Sequence, residues 1–564
     1  MTQSSEPVSH PQSWTDDVSN RFSNFAESSR GVWILAILLF LLAAGLRLPF
    51  LDADPPEYER IFSGSFATDE GIWSFLARQW VEGHDPFARS ESLAGSLSLP
   101  YTSAQWLMFQ TFGVGLVQVR ITGALLGCLL PVAFFLLGRR LFGPGPAFAI
   151  GLLAATNLLL IMYQRTGMID AWLIFWVTLA FLGWERALAS GQTRDAVIAG
   201  LLTAFTLWSK VTAVPFLIAA ALTGLWHLLD RHYRPTMIRL GLAFSGGFLA
   251  LSMIPLGIYL SWPALAAAAK ETLEVNPNKI APDLMGWLWH IRGVLFHNPF
   301  NSFMPVITLV ACFAVAALGL AVLQRKPSPL SLCAALWGPL VAAMLVVHGY
   351  IPPRYFLQAI PAIFVLGVQA LAWLWTQGPR LDGGRGLVRA LVILVFAVEL
   401  LVPLAIVGDW MGSREYSQRE VGEALAEDLG PDRELAEVSG RWAFDLALTG
   451  DFQPMGFYGA GQPWLQETPS RGGTHFLYQG EVPEEHIQGL RDQGLGIEYL
   501  ATYDYLRNYY EAKKPLSLYK FIPLDESGDS AAGSIQAAEP TLELEEPAPQ
   551  DDPGEVEGEI DEQI

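Results

Sequence analysis

Long apolar runs separated by short polar joints fill most of the chain. Eleven runs come close to or exceed the ~20 residues that carry a helix across a bilayer. They lie at 32–50, 116–138, 146–163, 169–189, 195–209, 214–229, 237–261, 303–323, 330–347, 355–377 and 388–408. The first is too long for a signal-peptide core and has no clear cleavage site, so it is expected to be retained as a span. The joints set the orientation, because cytoplasmic loops collect Lys and Arg. With the N-terminus inside, the inner joints hold Arg139 and Arg140, Arg186 and Arg194, and Arg231, Arg234 and Arg239. Arg325 and Lys326, then Arg380, Arg385 and Arg389, complete that side. The opposite short joints carry single cations, Arg165, Lys210 and Arg354. An odd span count then puts the C-terminal region outside.

Three external segments are long. The first, 51–115, holds Asp69-Glu70 and an amphipathic stretch from Ile72 to Trp80, expected to be an interfacial helix. The second, 262–302, holds His290, Arg292 and His297 near Trp287 and Trp289. The third starts at Asp409. In it, 474–478, 497–501 and 517–522 read as strands and 484–493 as a helix, which fits a small α/β domain ending near Pro523. The predicted fold class is an α-helical polytopic membrane protein of about eleven transmembrane helices with a small C-terminal α/β exterior domain. Its parts are a cytoplasmic disordered N-terminus (1–31), a transmembrane module (32–408), the exterior domain (409–523) and an acidic disordered tail (524–564). The two halves show no repeat of the span pattern, as many transporters would.

Composition agrees. At 52% hydrophobic and 16% charged, the chain is too apolar for an ordinary soluble enzyme. The formal charge of −20 is unevenly spread: residues 525–562 hold 14 acids and no Lys or Arg. That tail cannot bury a core. No basic stripe exists to hold nucleic acid. Cys128, Cys312 and Cys333 all lie in apolar runs, with no disulfide framework and no thiol metal spacing.

Ionisable groups gather at the external joints. Asp69 and Glu70 follow span one, Arg120 opens span two, and Arg165 and Asp170 flank the next external turn. Lys210 lies between spans five and six, and Arg354-Tyr355 opens span ten. Singly, each reads equally as a snorkelling cation or a helix cap; Asp69 is well placed as an N-cap. As a set on one side of a membrane they point to a shared polar cavity. A carboxylate in such a cavity serves as a general base, a metal ligand or half of an ion pair.

In order, these residues resemble the GT-C glycosyltransferases, in particular the protein O-mannosyltransferase and lipid A aminoarabinose transferase group. The matching positions are Asp69-Glu70, the span from Val119-Arg120 to Gly138-Arg139-Arg140-Leu141-Phe142-Gly143, and the turn Arg165-Thr166-Gly167-Met168-Ile169-Asp170. Trp208-Ser209-Lys210 resembles the family's Thr-Lys step, and the stretch from Pro353-Arg354-Tyr355 to Pro361 its late Arg/Tyr-rich segment. The good match covers about residues 30–215. One place departs: where many relatives carry His-Pro or Lys-Pro, with a phosphate-binding Lys, this chain reads Ser98-Leu99-Pro100-Tyr101. The oligosaccharyltransferase signature Trp-Trp-Asp-Tyr-Gly is absent from the sequence.

The resemblance implies a GT-C-like fold and an integral-membrane enzyme, expected in the plasma (inner) membrane with its site on the exterior face. It implies transfer of a monosaccharide, with inversion, from a polyprenyl-phosphate-linked donor to a hydroxyl of a protein, lipid or glycan acceptor. Asp69, Glu70 and Asp170 are the implied catalytic residues: Asp69 takes the acceptor proton, Arg120 holds Glu70, and Asp170 orients a sugar. Arg120, Arg165, Lys210, Arg292, His297, Arg354 and Tyr355 are the implied substrate-binding set. Lys210, Arg354, Arg292 and His297 are the candidates to replace the missing phosphate contact. No cofactor is required; a divalent metal at Asp69 and Asp170 is compatible with this reading. The rivals are a polytopic transporter, which needs access to both faces, and a non-catalytic relative whose exterior domain binds a partner.

Overall fold

The computed structural model describes residues 25, 27–54, 69–85, 94–231, 233–275, 305–324, 328–348, 353–377, 385–440, 442–455, 464–505 and 515–524. The membrane module is built from α1 (Ser29–Arg47), α2 (Glu70–Glu82), α3 (Leu99–Phe112), α4 (Leu116–Phe142), α5 (Pro144–Thr156) and α6 (Leu158–Gln164). It continues through α7 (Ile169–Ser190), α8 (Thr193–Ser209), α9 (Val214–Leu228), α10 (Arg234–Ser261) and α11 (Pro263–Val275). It closes with α12 (Pro305–Leu323), α13 (Pro329–His348), a short tight helix Pro353–Ala359, α14 (Ile360–Gln377) and α15 (Arg385–Gly412).

A helix or helix pair answers each of the eleven apolar runs. Among the described residues, eight helices are by themselves long and apolar enough to cross a membrane, or nine with a bent pair counted as one. The bent pair is α5–α6, where a single straight span was expected. The axis turns by 53° at Asn157, whose side chain accepts from Leu160 N–H and so starts a new helix. The core of the module runs through Leu130, Phe134, Leu159, Ile174, Phe181, Phe216, Trp337 and Phe364. Lipid-facing side chains such as Leu242, Leu309 and Leu394 stay exposed, as a bilayer solvent permits.

The stretches between α1 and α4 and after α10 differ from expectation in two ways. Helix α2 is not a lone interfacial helix. Phe75 and Leu76 are buried with Leu99, Leu265 and Phe444, so α2 is wedged between α3, α11 and the C-terminal domain. Helices α3 and α11 were not anticipated, although each begins with a proline in its first turn, the position that needs no N–H partner.

The C-terminal region opens with α16 (Ser417–Leu429), followed by β1 (Glu437–Ser439), α17 (Ala443–Gly450), β2 (Gln453–Met455), β3 (His475–Gln479), α18 (Glu484–Arg491), β4 (Leu495–Tyr503) and β5 (Leu516–Pro523). The strands form one mixed sheet in the order β2-β1-β3-β5-β4, parallel at β1 and antiparallel through β5. Alternation along the strands buries both faces. Leu477, Leu516 and Leu518 meet α16 and α17, while Phe476, Tyr519 and Phe521 face Leu465 and Leu490. The three expected strands and the expected helix are present. β1 and β2 are too short, at three residues each, to show a period.

His475 gives this domain a pH dependence. Burial, with Lys520 opposite it in the β3–β5 register, pulls its imidazole from 6.5 down to about 4. The folded chain keeps the ring neutral where the unfolded chain would protonate it. Stability is therefore lost as pH falls from about 6.5 and the loss levels off below about 4. The protection factors of the β3 and β5 amides, corrected for the intrinsic pH dependence of exchange, should fall over that window. His475→Gln should remove up to about 3 kcal/mol of the dependence; an unchanged pH profile in that variant would assign it to other groups.

Candidate active site

Helix ends build the site. Asp69 occupies the N-cap position of α2, and Asp170 lies in the first turn of α7, where a helix N-terminus favours a carboxylate. Lys210 is the C-cap of α8, where the helix end favours a cation. Arg354 enters on the tight helix Pro353–Ala359. Four separate segments thus bring two acids and two bases to one place.

They form an alternating chain. Lys210 Nζ lies 2.7 Å from both oxygens of Asp170. Arg354 Nη2 donates to Asp69 Oδ2 at 2.8 Å, and its Nε stands 3.9 Å from Asp170 Oδ2. Asp170, Lys210 and Arg354 are buried, while the Asp69 side chain retains 17% exposure. Asp69 is therefore the open end of the chain. Lys210 Nζ also sits 4.6 Å from the Tyr355 ring centre and 5.8 Å from that of Trp73. Trp172, whose Nε1 donates to Ser209 Oγ at 3.0 Å, adjoins Trp176 and Phe205 on the same side.

Glu70 has a different environment from its neighbour. It is fully buried and takes Arg120 Nε at 2.8 Å and Nη2 at 3.1 Å. Arg120 also donates to Leu51 O at 2.8 Å, Ala53 O at 2.7 Å and Gln418 Oε1 at 2.8 Å. Gly167 N–H donates to Glu70 Oε2 at 3.2 Å, and a Cβ at Gly167 would stand 1.9 Å from Val119. Tyr101 donates its hydroxyl to Gly167 O and is itself held by Gln105 Nε2 at 2.8 Å. The segment Ser98-Leu99-Pro100-Tyr101 thus braces the Gly167 turn.

These placements separate the expected residues. Asp69, Asp170, Lys210, Arg354 and Tyr355 come together. Glu70, expected to be catalytic, and Arg120, expected to touch substrate, are closed into a buried pair. Arg165 is likewise turned inward. Its Nη1 and Nη2 donate to Arg47 O at 2.9 Å and Phe50 O at 2.6 Å, and its guanidinium lies 4.3 Å from the Trp410 ring centre. Arg292 and His297 lie outside the described residues. A cation shared by Asp69 and Asp170 fits poorly, because both carboxylates already face a fixed positive charge. Among the described residues, no three His, Cys, Asp or Glu side chains converge as metal ligands do. An apolar groove of about 520 Å³ between α7, α9 and α10, lined by Trp184, Leu217 and Phe244, holds no ionisable group.

Sequence reasoning missed the far side of this site, which the C-terminal domain supplies. Gly71 N–H donates to Asp445 Oδ1 at 2.7 Å, and Arg78 donates to Ala447 O and Phe452 O, each at 3.0 Å. Asp54 accepts from Ser417 N–H at 2.7 Å. No local motif marks Asp445 or Gln418; only their fold brings them here.

The buried pair yields a prediction. Removing Arg120 strands a charge and should cost roughly 3–5 kcal/mol. Arg120→Ala should lose folded yield in a thermal-unfolding assay, and adding Glu70→Gln should recover part of it. Strictly additive losses would show that the two do not act as a pair.

Similarity to known proteins covers part of this site in sequence and the rest in fold. Residues 100–259 match the family model described as dolichyl-phosphate-mannose-protein mannosyltransferase. No curated protein matches the chain. Among solved structures, ArnT from Cupriavidus metallidurans bound to undecaprenyl phosphate aligns at 14% identity and a TM-score of 0.54, over 87% of this chain and 98% of that one. Its apo state aligns at 14% identity and a TM-score of 0.53, with the same coverage. The apo Archaeoglobus fulgidus oligosaccharyltransferase aligns at 13% identity and a TM-score of 0.52, over 79% of this chain and 69% of that one. The chain has the fold of the GT-C glycosyltransferases and resembles, among them, the protein O-mannosyltransferases and ArnT.

Proposed function

We propose that this protein is an integral-membrane glycosyltransferase. It moves a monosaccharide from a polyprenyl-phosphate-linked donor to an acceptor hydroxyl on the exterior face, with inversion. The observation that carries this reading is the chain Asp69–Arg354–Asp170–Lys210, whose two cations lie beside the one acid that remains partly open. A sugar phosphodiester needs cations at its leaving oxygen and a base at the attacking hydroxyl. Both are supplied within one site. Lipid phosphates of this class belong to the similar proteins too: ArnT binds undecaprenyl phosphate, and the mannosyltransferase family takes its name from dolichyl-phosphate-mannose.

The chemistry balances within these groups. The donor phosphodiester carries one negative charge. The acceptor oxygen attacks the anomeric carbon, the bond from that carbon to the phosphate oxygen breaks, and the hydroxyl proton goes to Asp69. The lipid phosphate leaves with two negative charges, held by Lys210 and Arg354. Attack opposite the leaving oxygen inverts the anomeric centre. Arg354 also gates the base. While it donates to Asp69 Oδ2 it lowers the basicity of that carboxylate. Donor phosphate competes for the same guanidinium, so donor binding frees the base. Tyr355 and Trp73 flank Lys210 and offer ring faces to a sugar. Whether the acceptor is protein, lipid or glycan is set outside these groups.

Purified protein with a panel of polyprenyl-phosphate sugars, read by release of lipid phosphate, tests the function. Asp69→Asn keeps shape and hydrogen bonding but cannot take the proton, so turnover should fall about 10²–10⁴-fold with insertion intact. Wild-type turnover by that variant would sink the mechanism. Arg354→Gln should raise the donor KM about 10–100-fold, the worth of a charge-assisted hydrogen bond; an unchanged KM would remove Arg354 from phosphate binding.

The exterior assignment has its own check. In a Cys312→Ser background, Glu485→Cys in the C-terminal domain should react with an impermeant maleimide in intact cells, and Gln192→Cys between α7 and α8 should not. Both sites are accessible to solvent. The reverse labelling pattern would place Asp69 in the cytoplasm.

A further inference from the structure

We infer that Asp445 of the C-terminal domain is a positioning residue that caps the helix carrying Asp69, and that this cap in trans keeps the Asp69 carboxylate in the site. The inference rests on the function proposed above for Asp69. Asp69 stands at the N-cap of α2, yet its side chain makes no capping hydrogen bond. An aspartate at that position ordinarily turns back onto the first N–H groups of its own helix. Here the N–H of Gly71 is already taken by Asp445 Oδ1 at 2.7 Å, across 374 residues of sequence. This N–H is satisfied from outside the helix, and Asp69 points instead to Arg354.

The contact is built closely. Asp445 is 1% exposed, and its helix reaches α2 with no room for a side chain between them: a Cβ at Gly71 would lie 2.0 Å from Phe444 O. The Phe444 ring meets Phe75 edge-on at 5.0 Å. Gln418 joins the same domain to the neighbouring acid. Its Nε2 donates to Asp445 O at 3.2 Å, and its Oε1 accepts from Arg120, which holds Glu70. The C-terminal domain therefore grips both sides of Asp69-Glu70. Without the cap, Asp69 is the nearest acceptor for the orphan N–H groups, and capping competes with proton abstraction for the same carboxylate.

The test uses the full-length protein and two readouts, donor turnover and hydrogen exchange of the α2 N-terminus. Asp445→Leu removes the acceptor. Its kcat should fall about 10²-fold, the cost of a misplaced catalytic group, with donor KM within about threefold and faster exchange at Glu70–Ser74. Asp445→Asn keeps Oδ1 as acceptor and should stay within about threefold of wild type on every measure. In an Asp69→Asn background, Asp445→Leu should cost no further turnover, whereas a merely structural loss would add. Should Asp445→Leu fail to insert, Gly71→Ala separates the same two helices from the other side and should reproduce the kcat loss and the faster exchange. Wild-type kcat in Asp445→Leu, or an Asp445→Asn variant as slow as Asp445→Leu, would overturn the inference. If wild-type protein turns over none of the donors, the proposed function fails. The exchange comparison of Asp445→Leu with Asp445→Asn still decides the cap: faster exchange in Asp445→Leu alone supports it, and equal exchange overturns it.

Discussion

The structure turns on one buried guanidinium. Arg120 has five N–H donors, and the five acceptors around it are two oxygens of Glu70, Leu51 O, Ala53 O and Gln418 Oε1. A charge taken fully out of water is costly unless every donor is met. That requirement fixes the relative positions of the segment after α1, the start of α2, α4 and α16 at once. Lysine could not substitute, since a point charge lacks the planar fork that serves a bidentate carboxylate and separate carbonyls together. With Gly167 bound to Glu70 from behind, the turn before α7 joins the same centre. Asp69 sits one residue from this clamp, so its backbone is held while its side chain is not enclosed.

Adjacent acids thereby acquire opposite characters. Successive residues on a helix point about 100° apart, so one of the pair can face the core while the other faces a cavity. Glu70 is the enclosed one. Its ion pair joins the assembled helices and its burial shuts it off from the cavity. Asp69 shares its cation, Arg354, with Asp170, and a shared cation is more readily given up than a bidentate private one. The contrast gives two neighbouring carboxylates separate parts at this junction: one holds the helix and the other takes the proton in the proposed reaction.

Much of this was legible in the sequence because it follows from bilayer length and helix grammar. Every apolar run became a helix or a bent pair, and Asp170, Lys210 and Arg354 stood at predicted span ends on one side. Short-range signals failed where tertiary contact decided. Asn157 split a run that hydropathy alone reads as continuous. The expected pairing of Arg120 with Glu70 is present. Arg165 looked like a cavity cation because hydropathy locates a charge in depth but not in direction; it turns inward onto carbonyls. Asp445 and Gln418 carry no motif, and β1 and β2 are too short to alternate. The proximity of residues 71 and 445 is a product of the fold, with no counterpart in local pattern.

The four clustered groups also explain why proton transfer and phosphate departure should be one event in the proposed reaction. Two carboxylates and two cations sum to no charge, so the resting chain is a weak trap for an anion. In a buried, poorly screened site a net-neutral cluster is the less costly state to hold without substrate. When Asp69 accepts the acceptor proton, the same cluster gains one positive charge. The phosphate gains one negative charge in the same step, as its bond to the sugar breaks. Base and leaving-group site are thus linked through Arg354, which touches both acids. A base elsewhere could take the proton equally well, but the cations would then face the departing phosphate with their charge still cancelled. Electrostatic stabilisation that grows as charge develops lowers the barrier by more than it tightens donor binding. That requirement, more than proximity alone, accounts for an arginine between the two aspartates and for a second domain that keeps one of them from closing onto its own helix.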